Sequence, residues 1–230
     1  DAKKGKMFIL VDDESRENEG DLVIPASKVT AKSINFMARY GRGLICLALS
    51  QAQVNKLNLS LMSPINDSRT QTAFTVSIDA KKGISTGISA HDRALTIKTA
   101  IKKNVSQKDI VSPGHVFPLI SKNGGVLVRA GHTEASVDVS KLSNCGSSGV
   151  ICEIMNDDGS MARGKQLFNF IKKHKLKMGK IDDLISYRLN REKLLKLKKS
   201  SMIKIKQEYY NIKIFENLLD GSENFALIKG

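Results

Sequence analysis

The chain has 230 residues, 41% hydrophobic and 26% charged, a globular balance with room for one large domain or a domain plus an appendage. No apolar run approaches the roughly 18 residues of a membrane span, and Asp1–Lys4 followed by the short run Met7–Val11 does not make a signal peptide. The net charge of +14 concentrates in residues 171–230, where 15 basic face 7 acidic side chains; without an RNA-binding aromatic motif or zinc-finger spacing, it reads as a solvated face, not a nucleic-acid surface.

In chain order, Met7–Val11 reads as a buried strand leading into an acidic loop, Asp12–Asp21, after which Leu22–Ile24 resumes extended structure and Pro25 ends it. Thr30 caps a helix to Tyr40, stopped by Gly41–Gly43. Leu44–Leu49 is a strand, Ser50–Leu57 a short helix, Ser63–Thr72 a long polar loop, and Ala73–Ile78 a strand. Ser89 caps a helix to about Lys103. Pro113-Gly114 is read as a turn before the strand Val116–Ile120, and Asn123–Gly125 as a turn before the strand Val126–Arg129. Thr133–Leu142 begins a helix, Gly149–Ile154 is a buried strand, and Gly164–His174 is a helix. In the tail, Asp182–Lys199 has helical spacing, Ile203–Ile214 resembles an edge strand, and Asp220-Gly221 turns a hairpin into Phe225–Ile228. This irregular alternation predicts an α/β (α+β) fold, a layered mixed sheet with flanking helices rather than a doubly wound one. Cys46, Cys145 and Cys152 are scattered, which suits a reducing, cytoplasmic setting better than a disulfide framework or a zinc site.

Three constellations carry chemistry. Residues 12–21 hold six carboxylates with Arg16 among them. Between buried strands such a loop can hold a hard divalent cation, with Arg16 as a fork for an anionic substrate; elsewhere it would be a solvated acidic turn. Arg129-Ala130-Gly131-His132-Thr133 joins a cation, a glycine that admits close backbone approach, a hydroxyl at a helix start, and an imidazole able to bind metal: good chemistry for phosphate. Glu153 sits in an apolar strand, as a general acid or base or as a solvent-facing strand residue. His115, in Pro113–Pro118, could shuttle protons.

Read together, these segments resemble the 3,4-dihydroxy-2-butanone 4-phosphate synthase family over roughly residues 5–188. The resemblance is carried by VDDESRENEGD (Val11–Asp21), TAFTVSID (Thr72–Asp79), TGISAHDR (Thr86–Arg93), PGHVFP (Pro113–Pro118), RAGHTEA (Arg129–Ala135) and GVICEIMNDDG (Gly149–Gly159), in the family's order. It implies a homodimeric lyase of riboflavin biosynthesis that converts ribulose 5-phosphate with Mg²⁺ or Mn²⁺, its active sites near the subunit interface. By carry-over, Glu17 and His132 hold the metal; Arg16, Glu17, Asp21, Arg129, Ala130, Gly131, His132, Thr133 and Glu153 contact the sugar phosphate; His115 and Glu153 are essential for catalysis. Neither a membrane nor a nucleic acid is an expected partner.

Residues 1–190 are expected to form the synthase domain, slightly short at its start. Residues 191–230 are expected to be a linker and the opening strands of a truncated GTP cyclohydrolase II-like region, which Ile181–Arg188 and Asp220–Gly230 resemble. The sequence begins with Asp and stops after an apolar run, and reads as part of a longer frame that ends before that family's zinc cysteines. The alternative is an inactive synthase-like domain that scaffolds a cyclohydrolase partner; loss of Arg16, Glu17, His132 or Glu153 would have favoured it.

Overall fold

In the computed structural model, which describes residues 1–229, the apolar segments of the first part become one seven-stranded mixed sheet. Its strands are β1 (Phe8–Val11), β2 (Gly20–Pro25), β3 (Cys46–Leu49), β4 (Ile78–Ala80), β5 (Ile110–Ile120), β6 (Ser148–Glu153) and β7 (Met178–Lys180), in the order β4-β5-β3-β6-β2-β1-β7. The pairs β1–β7 and β3–β5 are parallel and the other neighbours antiparallel.

Alternation along the strands sorts the side chains. Leu22, Ile24, Leu47, Leu49, Val150 and Cys152 go to one face and join the main apolar core. Ile34 of α1 (Ala31–Phe36), Val54 of α2 (Gln51–Leu57), Ile97 of α3 (Ala90–Ala100) and Leu167 of α5 (Gly164–His174) complete it. Each such side chain, fully buried, stabilises the fold by roughly 1.5–3 kcal/mol. The intervening residues Asp21, Val23, Cys46, Ala48, Ile151 and Glu153 face the other way, toward α4 (His132–Leu142), which packs on β2, β3 and β6. Gly149 lets α4 approach: a Cβ there would lie 2.6 Å from Ser136 Cβ. The result is a helix–sheet–helix sandwich with polar residues collected on the α4 side.

The chain divides into two compact units, 1–184 and 185 onward. The helix α6 (Ile181–Arg191) crosses that division. The second unit carries a three-stranded antiparallel sheet, β8 (Leu195–Ile205), β9 (Glu208–Asn217) and β10 (Glu223–Ile228), in the order β10-β9-β8. No helix of the described residues is long and apolar enough to cross a membrane.

Several elements differ from the sequence expectation. The helix begun at Thr30, whose hydroxyl accepts the Ser33 N–H, passes into a π-turn at Met37–Gly41 and ends where Arg42 adopts a left-handed conformation. Ala73–Ile78 supplies only isolated bridges at Phe74 and Thr75 before β4 starts at Ile78. Pro113-Gly114 lies inside β5 as part of a bulge, not at a turn between elements. Gly125–Leu127 is a 3-10 turn, not a strand, because the Asp138 carboxylate of α4 accepts the Val126 N–H at 2.8 Å. The helix expected to reach Lys199 stops at Arg191, where Leu195 and Leu197 continue with the period of a strand. Ile203–Ile214 is not one edge strand but the junction of β8 and β9, turned at Lys206, whose φ is 56°.

Candidate active site

The acidic loop between β1 and β2 is shaped from within. Asp12, whose side chain is fully buried, accepts from Arg16 Nη1 at 2.6 Å and from the Glu19 N–H at 2.9 Å, drawing both halves of the loop together. Arg16 Nη1 also donates to Glu17 at 2.5 Å. Arg163, at the N-cap of α5, closes the outside: its guanidinium donates to the carbonyls of Glu17 and Asn18 and to the Glu19 carboxylate at 2.7 Å. Its place in the site has no sequence signal, because 144 residues separate it from Glu19.

The second segment is the start of α4. Gly131 is its N-cap, and His132 and Thr133 lie in its first turn, both buried. His132 Nδ1 stands 3.8 Å from Glu17 and 3.9 Å from Asp21. Its Nε2 is buried with no hydrogen-bond partner among the described residues, an omission worth roughly 1–3 kcal/mol that an external ligand would relieve. Asp12, Glu17 and His132 each offer one ligand atom, all within 4.8 Å of one another. Two carboxylates and an imidazole at that spacing suit a small divalent cation.

The third segment is the end of β6. Glu153 pairs across the sheet with Asp21, so both carboxylates emerge on the α4 face. Glu153 Oε2 accepts the Leu44 N–H at 2.8 Å, and Gly43 is obligatory beside it, since a Cβ there would run into the Glu153 side chain.

The three segments enclose a cleft of about 210 Å³, lined by Arg16, Glu17, Glu19, Asp21, Cys46, Thr70, Thr72, Arg129, His132, Thr133 and Glu153. A larger hollow of about 300 Å³ behind the acidic loop is lined by acidic and apolar residues, with Lys180 as its single cation and no histidine. The charges in the cleft are interdependent. His132 and, more weakly, Arg16 hold Glu17 down to about 2 against the effect of burial. Burial pushes Asp21 up, helped by Glu153, Glu17 and Glu19 and opposed by His132. Burial would lower His132, but Asp21, Glu17 and Asp12 outweigh it and raise it. Burial and the neighbouring Glu153 and Asp21 push the Cys46 thiol well above its ordinary range, which favours its neutral form.

Of the residues singled out from the sequence, Arg16, Glu17, Asp21, Arg129, His132, Thr133 and Glu153 line this cleft. Ala130 and Gly131 form the turn that starts α4 and do not line it. Arg129, expected as a cation for the phosphate, is engaged within the chain. It donates to Glu134 at 2.6 Å, to the Thr72 hydroxyl at 2.9 Å and to the Thr70 carbonyl at 3.0 Å, strapping the loop before Thr72 onto the cleft. The start of α4, with the Thr133 hydroxyl and the helix N-terminus, favours an anion. His115 lies outside the cleft, on the β5 bulge, with Nδ1 2.7 Å from Asp79. Arg163 and Thr70 lie outside every motif quoted from the sequence; Asp12 and Thr72 lie within motifs that gave them no individual role.

A family model described as 3,4-dihydroxy-2-butanone 4-phosphate synthase matches residues 1–187. The chain is 53% identical to the riboflavin biosynthesis protein RibBA of Aquifex aeolicus, over the whole chain and 57% of that protein. It is 49% identical to the 3,4-dihydroxy-2-butanone 4-phosphate synthase of Neisseria meningitidis, over 63% of that protein. The chain thus spans about three-fifths of the length of these curated relatives. Among solved structures, a two-domain 3,4-dihydroxy-2-butanone 4-phosphate synthase from A. baumannii superposes with a TM-score of 0.91 at 44% identity, covering 100% of this chain and 68% of that one. A 3,4-dihydroxy-2-butanone 4-phosphate synthase in complex with two magnesium ions superposes with a TM-score of 0.79 at 38% identity, covering 83% of this chain and 94% of that one. A match across the sheet, the acidic loop and the start of α4, at these identities, means that the chain belongs to the 3,4-dihydroxy-2-butanone 4-phosphate synthase family.

Proposed function

We propose that this chain is a lyase that converts D-ribulose 5-phosphate into 3,4-dihydroxy-2-butanone 4-phosphate and formate, a step of riboflavin biosynthesis, in the cytoplasm. The observation that carries the reading is the convergence of Asp12, Glu17 and His132 within 4.8 Å beside a cleft holding Asp21 and Glu153. The two products contain every atom of the substrate, so the reaction needs proton carriers and charge stabilisation but no oxidant. Glu17 and His132 would hold the metal; Asp12, within the same 4.8 Å, is engaged by Arg16 and the Glu19 N–H and shapes the loop that presents Glu17. When bound there, Mg²⁺ or Mn²⁺ would supply Lewis-acid stabilisation of developing negative charge on the sugar oxygens.

The protein's own groups do the rest. Thr133 and the N–H groups at the start of α4 take the phosphate, and Arg16 contributes positive charge across the cleft. Asp21 and Glu153, side by side on β2 and β6, accept and return protons. Glu153 is steadied for this by the Leu44 N–H. His115 is delivered by a second copy: within one chain it lies outside the cleft, its side chain 42% exposed beside the edge strand β4. The working unit is therefore a homodimer in which each site is completed across the interface.

The test is direct. The purified chain with ribulose 5-phosphate and Mg²⁺ should release formate and the four-carbon phosphate in equal amounts, and a chelator should stop it. Absence of formate with metal present would reject the reading.

A further inference from the structure

The contact between His115 and Asp79 is built more carefully than a surface pair requires. The Asp79 carboxylate grips His115 twice: Oδ1 accepts its backbone N–H at 3.0 Å, and Oδ2 lies 2.7 Å from Nδ1. Asp79 is 5% exposed. The single step from Ile78 to Asp79 on β4 spans Val116 to Val111 on β5, so Ser112–His115 bulge outward opposite it. Such bulges re-aim a side chain. The Gly114 N–H is pinned to Ser77 Oγ at 3.1 Å, fixing the bulge from below. Gly87, at φ 93°, seals the back, where any Cβ would collide with the Asp79 carboxylate and the His115 ring. Asp92 holds Gly87 there by accepting its N–H at 3.1 Å.

An ionised carboxylate can only accept hydrogen bonds, so the hydrogen of a neutral imidazole facing it must sit on Nδ1. We propose that Asp79 is a positioning residue for the lyase reaction: it locks His115 as the Nδ1–H tautomer and leaves Nε2 bare to take a proton from the sugar. This rests on the reading that His115 takes part in catalysis. Asp79 itself touches no substrate. Its effect is to set which nitrogen is basic and where that nitrogen points, as in other carboxylate–histidine pairs, where the amide substitution inverts the tautomer and removes activity.

The experiment combines kinetics with ¹⁵N–¹H long-range correlation spectra of the full chain. His115→Gln identifies the His115 signals among the four histidines by their loss. The parent should show Nδ1–H and bare Nε2 at His115. Asp79→Asn, whose amide can donate to Nδ1, should move the hydrogen to Nε2 and lower kcat by about 100-fold or more, with KM changed by less than about threefold and an unchanged fold. Asp79→Glu should recover part of the rate. A parent spectrum with Nε2–H, an Asp79→Asn variant with near-parent kcat, or one that loses kcat with its tautomer intact would each overturn the proposal. A His115→Gln variant as fast as the parent would overturn the catalytic role of His115, and with it the purpose of the lock, while the spectra judge the lock itself.

Discussion

Glu153 and Arg129 make opposite kinds of demand on the structure. Glu153 faces the cleft and, among the described residues, is held by the Leu44 N–H, a contact that a glutamine carbonyl can reproduce. Glu153→Gln should therefore keep the parent's melting temperature while lowering the rate by roughly 10² or more, the usual contribution of a general acid or base. Formate release and a thermal melt, measured together, decide it; near-parent turnover removes Glu153 from the mechanism. Arg129 is bound up in structure, paired with a Glu134 carboxylate that is only 1% exposed. Arg129→Ala removes the charged partner of that buried carboxylate, leaving it the Lys122 N–H, and frees the strapped loop, so it should cost roughly 3–5 kcal/mol in a urea melt. A variant of parent stability would mean that the guanidinium is free for substrate after all. Glu17 and His132 stood out in the sequence because each lies among polar and charged neighbours of one motif, whereas Glu153, between Cys152 and Ile154, read equally well as a solvent-facing strand residue. The sequence did not show that Arg129 is claimed by Glu134, although both lie in one motif, because only the bend at Gly131 brings the two side chains together. Nor did it show Arg163, whose contact with Glu19 joins positions 144 residues apart.

At the scale of elements, strands and helices with a single strong period were legible: β1, β2, β6, α3 and α5 follow alternation or capping that is plain in the residues. The failures share a cause, which is local geometry set by tertiary contacts. The β5 bulge hides in Pro113-Gly114, which looks like a turn, and the β8–β9 hairpin turns at Lys206 without glycine or asparagine. The bulge gives a prediction. A Cβ on Gly114 would strike the β4 backbone at Ile78 and Asp79, so Gly114→Ala must push the strands apart or flatten the bulge. Activity should fall at least tenfold, and the melting temperature should drop by several degrees, as for other steric clashes in a packed interior. An unaffected variant would show that His115 does not depend on the bulge. The β8–β10 sheet gives the converse. Every residue assigned to the cleft precedes it, and the family match ends at residue 187. Removing residues 195–230 should leave formate release near the parent level; its loss would tie the second unit to the reaction.

At the scale of the whole molecule, the fold's task is to bring together groups that the chain keeps apart. Glu17 sits in the loop after β1, His132 begins α4, and Glu153 ends β6, yet all three line one cleft. The division of His115 from that cleft makes subunit sharing testable. His115→Gln and Glu153→Gln should each be nearly inactive alone, but a mixture that exchanges subunits should regain up to about a quarter of parent activity, because half the dimers are mixed and each mixed dimer has one intact site. No recovery after verified exchange would place His115 and Glu153 of one chain in the same site. The central claim, that acidic loop and helix start together form a metal-dependent sugar-phosphate site, is best tested by metal binding. A carboxylate is a good magnesium ligand and an imidazole a less usual one, so the site should be weak until sugar oxygens complete the shell. Titrating Mg²⁺ into the Glu153→Gln protein, which spares the sugar, with and without ribulose 5-phosphate, and repeating this with His132→Ala added, measures that dependence. Affinity should rise at least about tenfold with the sugar present, and that gain should vanish without His132; equal affinity in the two proteins would contradict a metal site built on His132.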